Sequence, residues 1–158
     1  MKNIKIIFVV LVLIIILISI TVFTYYSDIS SIDNVDVEIE DVNIRDLKLA
    51  SCDLNLKVKI TNPTSSNIND LTAEFDVFIS NTDVGDGLVN KVTIPSKSYE
   101  TSDVVITIYY SNVGQAVING LQTGNFDLSI QGEAKLNILF NLISVTEPFS
   151  ASYSYSSY

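Results

Sequence analysis

Leu54-Asn55-Leu56-Lys57-Val58-Lys59-Ile60-Thr61-Asn62-Pro63 holds the clearest pattern in the chain. Apolar residues at 54, 56, 58 and 60 alternate strictly with polar ones. A helix would scatter this pattern around its circumference. A strand, whose successive side chains point to opposite faces, gathers it into one dry face and one wet face. Pro63 then ends the run, because it has no N–H for a ladder bond and forces Asn62 into an extended conformation.

The same period of two recurs on either side. Val35, Val37 and Ile39 alternate with acidic residues, break at Asp41, and resume at Val42 and Ile44. Downstream it returns at Ala73-Phe75-Val77-Ile79, Val104-Ile106-Ile108, Phe126-Leu128-Ile130 and Leu136-Ile138-Phe140. Between these runs lie turn signals. Asp83-Val84-Gly85-Asp86-Gly87 reads as a turn with two glycines available for positive φ. Pro95 to Ser98 separates two further strands, and Gly132 marks a turn or a bulge. Val113, Ala116, Val117 and Leu121 instead recur at helical spacing. They predict a short helix over 113–123, with Asn112 as N-cap, Gln115 at N3 and Gly124 just past the end. About seven strands at this spacing predict an all-β sandwich with one short helix, an up-and-down barrel being the alternative. The sandwich is expected over 35–149. A Ser/Tyr-rich tail at 150–158 is expected to fray.

The N-terminus follows a different rule. From Ile6 to Ile18 every residue is apolar, and the apolar stretch runs on to Tyr26. Its roughly 20 residues match a bilayer core of about 30 Å at 1.5 Å per residue. The central side chains together favour insertion by roughly 4–8 kcal/mol. A transmembrane helix is therefore expected over 6–26, with 1–5 cytoplasmic and 27–34 a polar linker. Lys2 and Lys5 precede the stretch and all 18 acidic residues follow it, so the positive-inside rule places the sandwich outside the cytoplasm. A cleaved signal peptide has the same basic start. The bulky Val22-Phe23-Thr24-Tyr25-Tyr26 offers it no small-residue cleavage site, however, and the Gly and Glu of a pilin stem are missing. The expected lipid partner is the bilayer itself, through this helix.

Composition removes whole classes of chemistry. The chain has no His and one Cys, which excludes Ser-His-Asp triads, imidazole zinc sites and multi-thiolate metal sites. There is no phosphate-binding Gly loop, and no cofactor is expected. A net charge of −9 without a basic stripe excludes nucleic acid as a partner. Ser96-Lys97-Ser98 could in principle form a Ser-Lys dyad, but a solvated turn accounts for it better. A glycosidase is disfavoured by the lack of Trp to line a sugar cleft. The Asn81–Gly87 stretch fails the EF-hand register, since Asp86 stands where Gly is needed and Val92 where Glu is needed. Cys52 reads as a small buried residue.

The order of the turn signals carries a resemblance. Asn62-Pro63 follows a strand pair, Val84-Gly85-Asp86-Gly87 comes next, a strand reaches Ile94-Pro95, and Phe126-x-Leu-x-Ile-x-Gly132 lies beyond. Over about 35–145 this resembles the WHy (water stress and hypersensitive response) domain of the atypical late embryogenesis abundant proteins. Thr64 stands where that family's Asn-Pro-Asn motif has its second Asn. The resemblance implies an immunoglobulin- or fibronectin-III-like sandwich and no catalytic residues. Asn62, Pro63, Gly85, Gly87, Pro95 and Gly132 become structural motif positions. It also implies a role in response to desiccation or other stress, in members that are often membrane-anchored. The competing expectation is a cell-surface module that binds a protein partner through sheet edges or loops.

Overall fold

The computed structural model describes residues 11–23, 35–138 and 143–156. Residues 11–23 form helix α1. Seven strands follow: β1 (Asp36–Arg45), β2 (Ser51–Asn62), β3 (Ile68–Ile79), β4 (Thr82–Ile94), β5 (Ser98–Tyr109), β6 (Asn125–Ile138) and β7 (Ile143–Ser156). A 3-10 turn at Tyr110–Asn112 and helix α2 (Gln115–Thr123) link β5 to β6. The strands make two antiparallel sheets, ordered β1-β2-β5 and β4-β3-β6-β7.

The alternation that predicts the strands also makes the core. Leu54, Leu56, Val58 and Ile60 of β2 are all but fully buried, as are Ala73, Val77 and Ile79 of β3 and Leu128 and Ile130 of β6. All belong to one hydrophobic cluster that the two sheets share. Burial of each such Leu, Ile or Val is worth about 1.5–3 kcal/mol, which is why the register is fixed: a slip of one residue would turn every one of these side chains to water. The break read at Asp41 is a bulge between Ile39 and Asp41.

Three expectations are corrected. Gly132 is neither turn nor bulge: β6 runs through it without a register shift, paired with Phe75 on one side and Phe149 on the other. Asp83–Gly87 lies inside β4. The actual β3–β4 turn is Ser80-Asn81, with φ of 48° and 65°. Two central residues at positive φ match the right-handed twist of a hairpin, so the turn needed no glycine. Residues 150–156 are strand, not frayed tail. β7 pairs with β6 without a register shift from Ile143 to Ser156, because Phe149, Ala151, Tyr153 and Tyr155 alternate with serines and pack against the core.

Helix α2 begins later than predicted, with Gly114 and not Asn112 as N-cap. Its end is as read. Gly124 adopts the left-handed conformation (φ 61°) and its N–H returns to the Gly120 carbonyl. Val117 and Leu121 are its buried residues.

The expected membrane span reaches beyond α1 on both sides, at 6–10 and 24–26, outside the described residues. The linker at 27–34 also lies outside them. Among the described residues no helix is long and apolar enough to cross a membrane. The side chains of 11–23 are all exposed, Leu17 and Phe23 most of all.

Candidate functional site

The strand directions define two ends of the sandwich. β1 starts at Asp36, opposite Thr61 near the end of β2. The β2–β3 and β4–β5 loops lie at that same end, and Asn62 joins them. Its side chain is fully buried. The Asn62 amide nitrogen donates to the carbonyls of Ser66 (2.8 Å), Ile94 (3.2 Å) and Pro95 (3.1 Å). Its Oδ1 accepts from the Thr64 N–H (3.0 Å) and hydroxyl (2.7 Å). Around it, the Lys97 N–H donates to Thr64 O (2.9 Å), and the Ser96 N–H donates to Asn67 Oδ1 (2.9 Å). Both loops therefore close on one amide. An amide suits this place because it donates and accepts at once, and loop carbonyls turned from water need donors.

Pro63 follows as the exposed residue that ends β2, and Pro95 supplies one of the three carbonyls. The structure thus brings three of the motif positions together: Asn62, Pro63 and Pro95. Ser96 and Lys97 are spent on loop closure, Lys97 in a left-handed turn (φ 52°).

Gly87 and Gly132 meet at a second place, around Phe75. These residues, with Phe149, form one cross-strand row over β4, β3, β6 and β7. A Cβ on Gly87 would overlap the Phe75 ring, and one on Gly132 would overlap the Glu74 carbonyl and the Phe75 backbone. The glycines make room for a ring that sits edge-on to Phe149, with centroids 6.1 Å apart. Gly85 serves a third purpose. It follows the bulged Val84 in β4 with φ 146°, and its missing side chain leaves space for Ile106 of the opposite sheet. The Asp83 carboxylate accepts its N–H (3.0 Å).

On the outer face of the four-stranded sheet is an open concavity of about 860 Å³. Glu74, Asp76, Asp86, Glu133 and Lys135 line it. Glu74 stands directly opposite Glu133, and Asp76 opposite Asp86. Directly opposed like charges destabilise a sheet by a few tenths of a kcal/mol. Among the described residues no three His, Cys, Asp or Glu side chains come together to hold a metal ion.

Cys52 is free and buried. Burial pushes its thiol up from 9.0, against a hydrogen bond from Tyr110 that lowers it. A thiol so placed is a poor nucleophile. The sequence reading missed the buried Asn55 on the outer side of β2, whose Oδ1 has no partner among the described residues. Period-two alternation puts position 55 on the wet face. It does not reveal that β2 is the middle strand of its sheet, with Asn43 and Val105 flanking Asn55 on either side.

No protein-family model matches the sequence, and no curated protein matches it either. Among solved structures, the chain is similar to the solution structure of the Arabidopsis thaliana protein AT1g01470, with a TM-score of 0.58 and 20% identity over 75% of this chain and 78% of that one. It is also similar to a putative late embryogenesis abundant protein, At2g46140.1, with a TM-score of 0.45 and 14% identity over 90% of this chain and 82% of that one. A protein from Archaeoglobus fulgidus gives a TM-score of 0.44 and 12% identity over 78% of this chain and 98% of that one. At 20% identity the likeness to the first is one of fold.

Proposed function

We propose that the chain is a non-catalytic, membrane-tethered domain of the WHy kind, held outside the cytoplasm and protective under desiccation or related stress. The observation that carries this reading is the use made of the motif residues. Asn62, Pro63 and Pro95 build the loop end of the sandwich, while Gly87 and Gly132 seat Phe75. Side chains shared with the family are thus occupied in holding the fold, which suits a domain that works through its hydrated surface. The strand order supports a fibronectin-III-like arrangement, because β4 joins the β3-β6-β7 sheet and not the sheet of β1, β2 and β5.

The tether is supported by α1. Its apolar side chains are exposed, which only lipid or another apolar partner makes favourable. Its two hydroxyls are satisfied internally: Ser19 donates to Ile15 O (2.8 Å) and Thr21 to Leu17 O (2.9 Å), as hydrocarbon surroundings require.

The test is to dry a labile reporter enzyme with vesicles carrying the full chain. Retained activity above that given by vesicles with an equal mass of an unrelated single-span protein is expected. Equal loss in both samples defeats the protective role. A second reading, a surface interaction module, is favoured by Leu47 and Leu49, which stand exposed in the β1–β2 loop at the end far from Asp36.

A further inference from the structure

An exposed strand edge is a template for another strand, and proteins commonly guard such edges with charge, proline or bulges. Among the described residues the sandwich has four edge strands, β1, β5, β4 and β7, and three are guarded. β1 carries Asp36, Glu38, Glu40 and Asp41 and contains a bulge. β4 carries Asp83, Asp86 and Lys91, and its pairing with β3 shifts register three times. β5 carries Glu100 and Asp103. β7 is different. Glu147 and Pro148 guard its first half, but from Phe149 to Ser156 it has no charge, no proline and no bulge. Its outer N–H and C=O groups have no ladder partner among the described residues, although β1 of the opposite sheet passes close beside the strand.

That unguarded half is also complementary to itself. In Phe149-Ser150-Ala151-Ser152-Tyr153-Ser154-Tyr155, the odd residues face the core side and the serines face water. Two such strands run antiparallel about a two-fold axis at Ser152 would pair Phe149 with Tyr155, Ala151 with Tyr153 and Ser150 with Ser154. Aromatic meets aromatic or alanine on one face, and serine meets serine on the other. Aromatic pairs and hydroxyl pairs are both favourable across strands, and no charge is brought against its like. The stacked Phe126–Tyr155 pair (4.9 Å) and the Phe75–Phe149 contact hold the inner face rigid from behind.

We propose that the β7 edge binds a second copy of this chain, joining two four-stranded sheets into one through residues 149–155. A two-fold, self-complementary contact of this kind closes after two copies. In it the β1 starts of the two copies lie at opposite ends of the shared edge, so on one bilayer the joined strands run along the membrane plane. The inference stands independently of the protective role.

The test uses the full chain in detergent micelles and in native membranes. In a Cys52→Ser background, Ser152→Cys places two thiols face to face on the two-fold axis, within disulfide reach in either type of antiparallel pair. Ser144→Cys, on the same exposed face at the guarded end, places them far apart. Oxidation is expected to give covalent dimer from S152C and monomer from S144C. The parent chain should have twice the protein mass of the monomer by light scattering, and S152K, which opposes two ammonium groups at the axis, should halve it with unchanged circular dichroism. A monomeric parent that yields no S152C dimer overturns the proposal. So does equal crosslinking at both positions, or a dimer indifferent to S152K.

Discussion

Asn62 is the side chain on which the loop end depends most. Asn62→Ala would take the amide donor from the Ile94 and Pro95 carbonyls, at a cost of about 1–3 kcal/mol. A drop in the denaturation midpoint with unchanged slope would report it. Asn62→Asp tests the same site with a sign. A carboxylate there faces three carbonyls, so its proton affinity is raised, and only the protonated form can donate. The variant's stability is therefore greatest below the ordinary aspartate value and falls as pH rises through the folded one. Unfolding curves at pH 4 and pH 7 should show a larger deficit at pH 7. Equal deficits would mean that donation by the amide is not what Asn62 supplies. At Gly132, an alanine methyl would be forced against the Phe75 backbone and the Glu74 carbonyl. The expected loss is about 1–3 kcal/mol. Sequence spacing flagged each of these positions, but only as punctuation. What it could not carry is that Asn62 reaches a loop 33 residues away, or that two glycines enclose one ring, since both are long-range contacts.

At the scale of the element, the strands that alternate cleanly, β2 and β3, are the ones the sequence places best. Where glycine serves packing and not turning, the reading fails. Gly85, Gly87 and Gly132 carry turn chemistry in sequence, yet all three lie within strands. The true hairpin turn, Ser80-Asn81, has residues that tolerate positive φ less well than glycine. Asn81→Gly should therefore stabilise the protein, by about 0.5–1 kcal/mol, seen as a rise in melting temperature. β7 escaped notice because its alternation is tyrosine and alanine against serine, with little contrast in hydropathy. Its pairing with β6 over the whole strand and the stacking of Tyr155 on Phe126 turn a weak pattern into a firm element. On the outer face of the four-stranded sheet, Glu74→Gln removes the charge opposed to Glu133. It should stabilise by about 0.2–1 kcal/mol, and more at low salt than at high.

At the scale of the whole molecule, the sequence divides cleanly into an apolar start and an acidic remainder, and the all-β class of that remainder was legible from period two alone. The pairing order of seven strands was not, because alternation sets which face is buried and not which strand lies beside which. Burial of Cys52 also has a whole-molecule consequence. Its folded thiol holds its proton more tightly than the unfolded one, so its share of the stability is complete below about pH 9 and is lost as pH rises through the raised value. Cys52→Ala should flatten the alkaline fall in stability. If it leaves that fall unchanged, Cys52 is not the group whose titration drives it.

The proposed arrangement is a β-sandwich tethered by its N-terminal helix on the outer side of a membrane. The most direct measurement is protease shaving of intact cells that express the full chain with a C-terminal tag, combined with alkaline washing of their membranes. The predicted result is full-length protein that stays with the washed membranes and a tag that external protease removes. A soluble, shortened product would identify the N-terminal stretch as a cleaved signal, and a protected tag would place the sandwich in the cytoplasm. Either result rules out a membrane-tethered sandwich outside the cytoplasm.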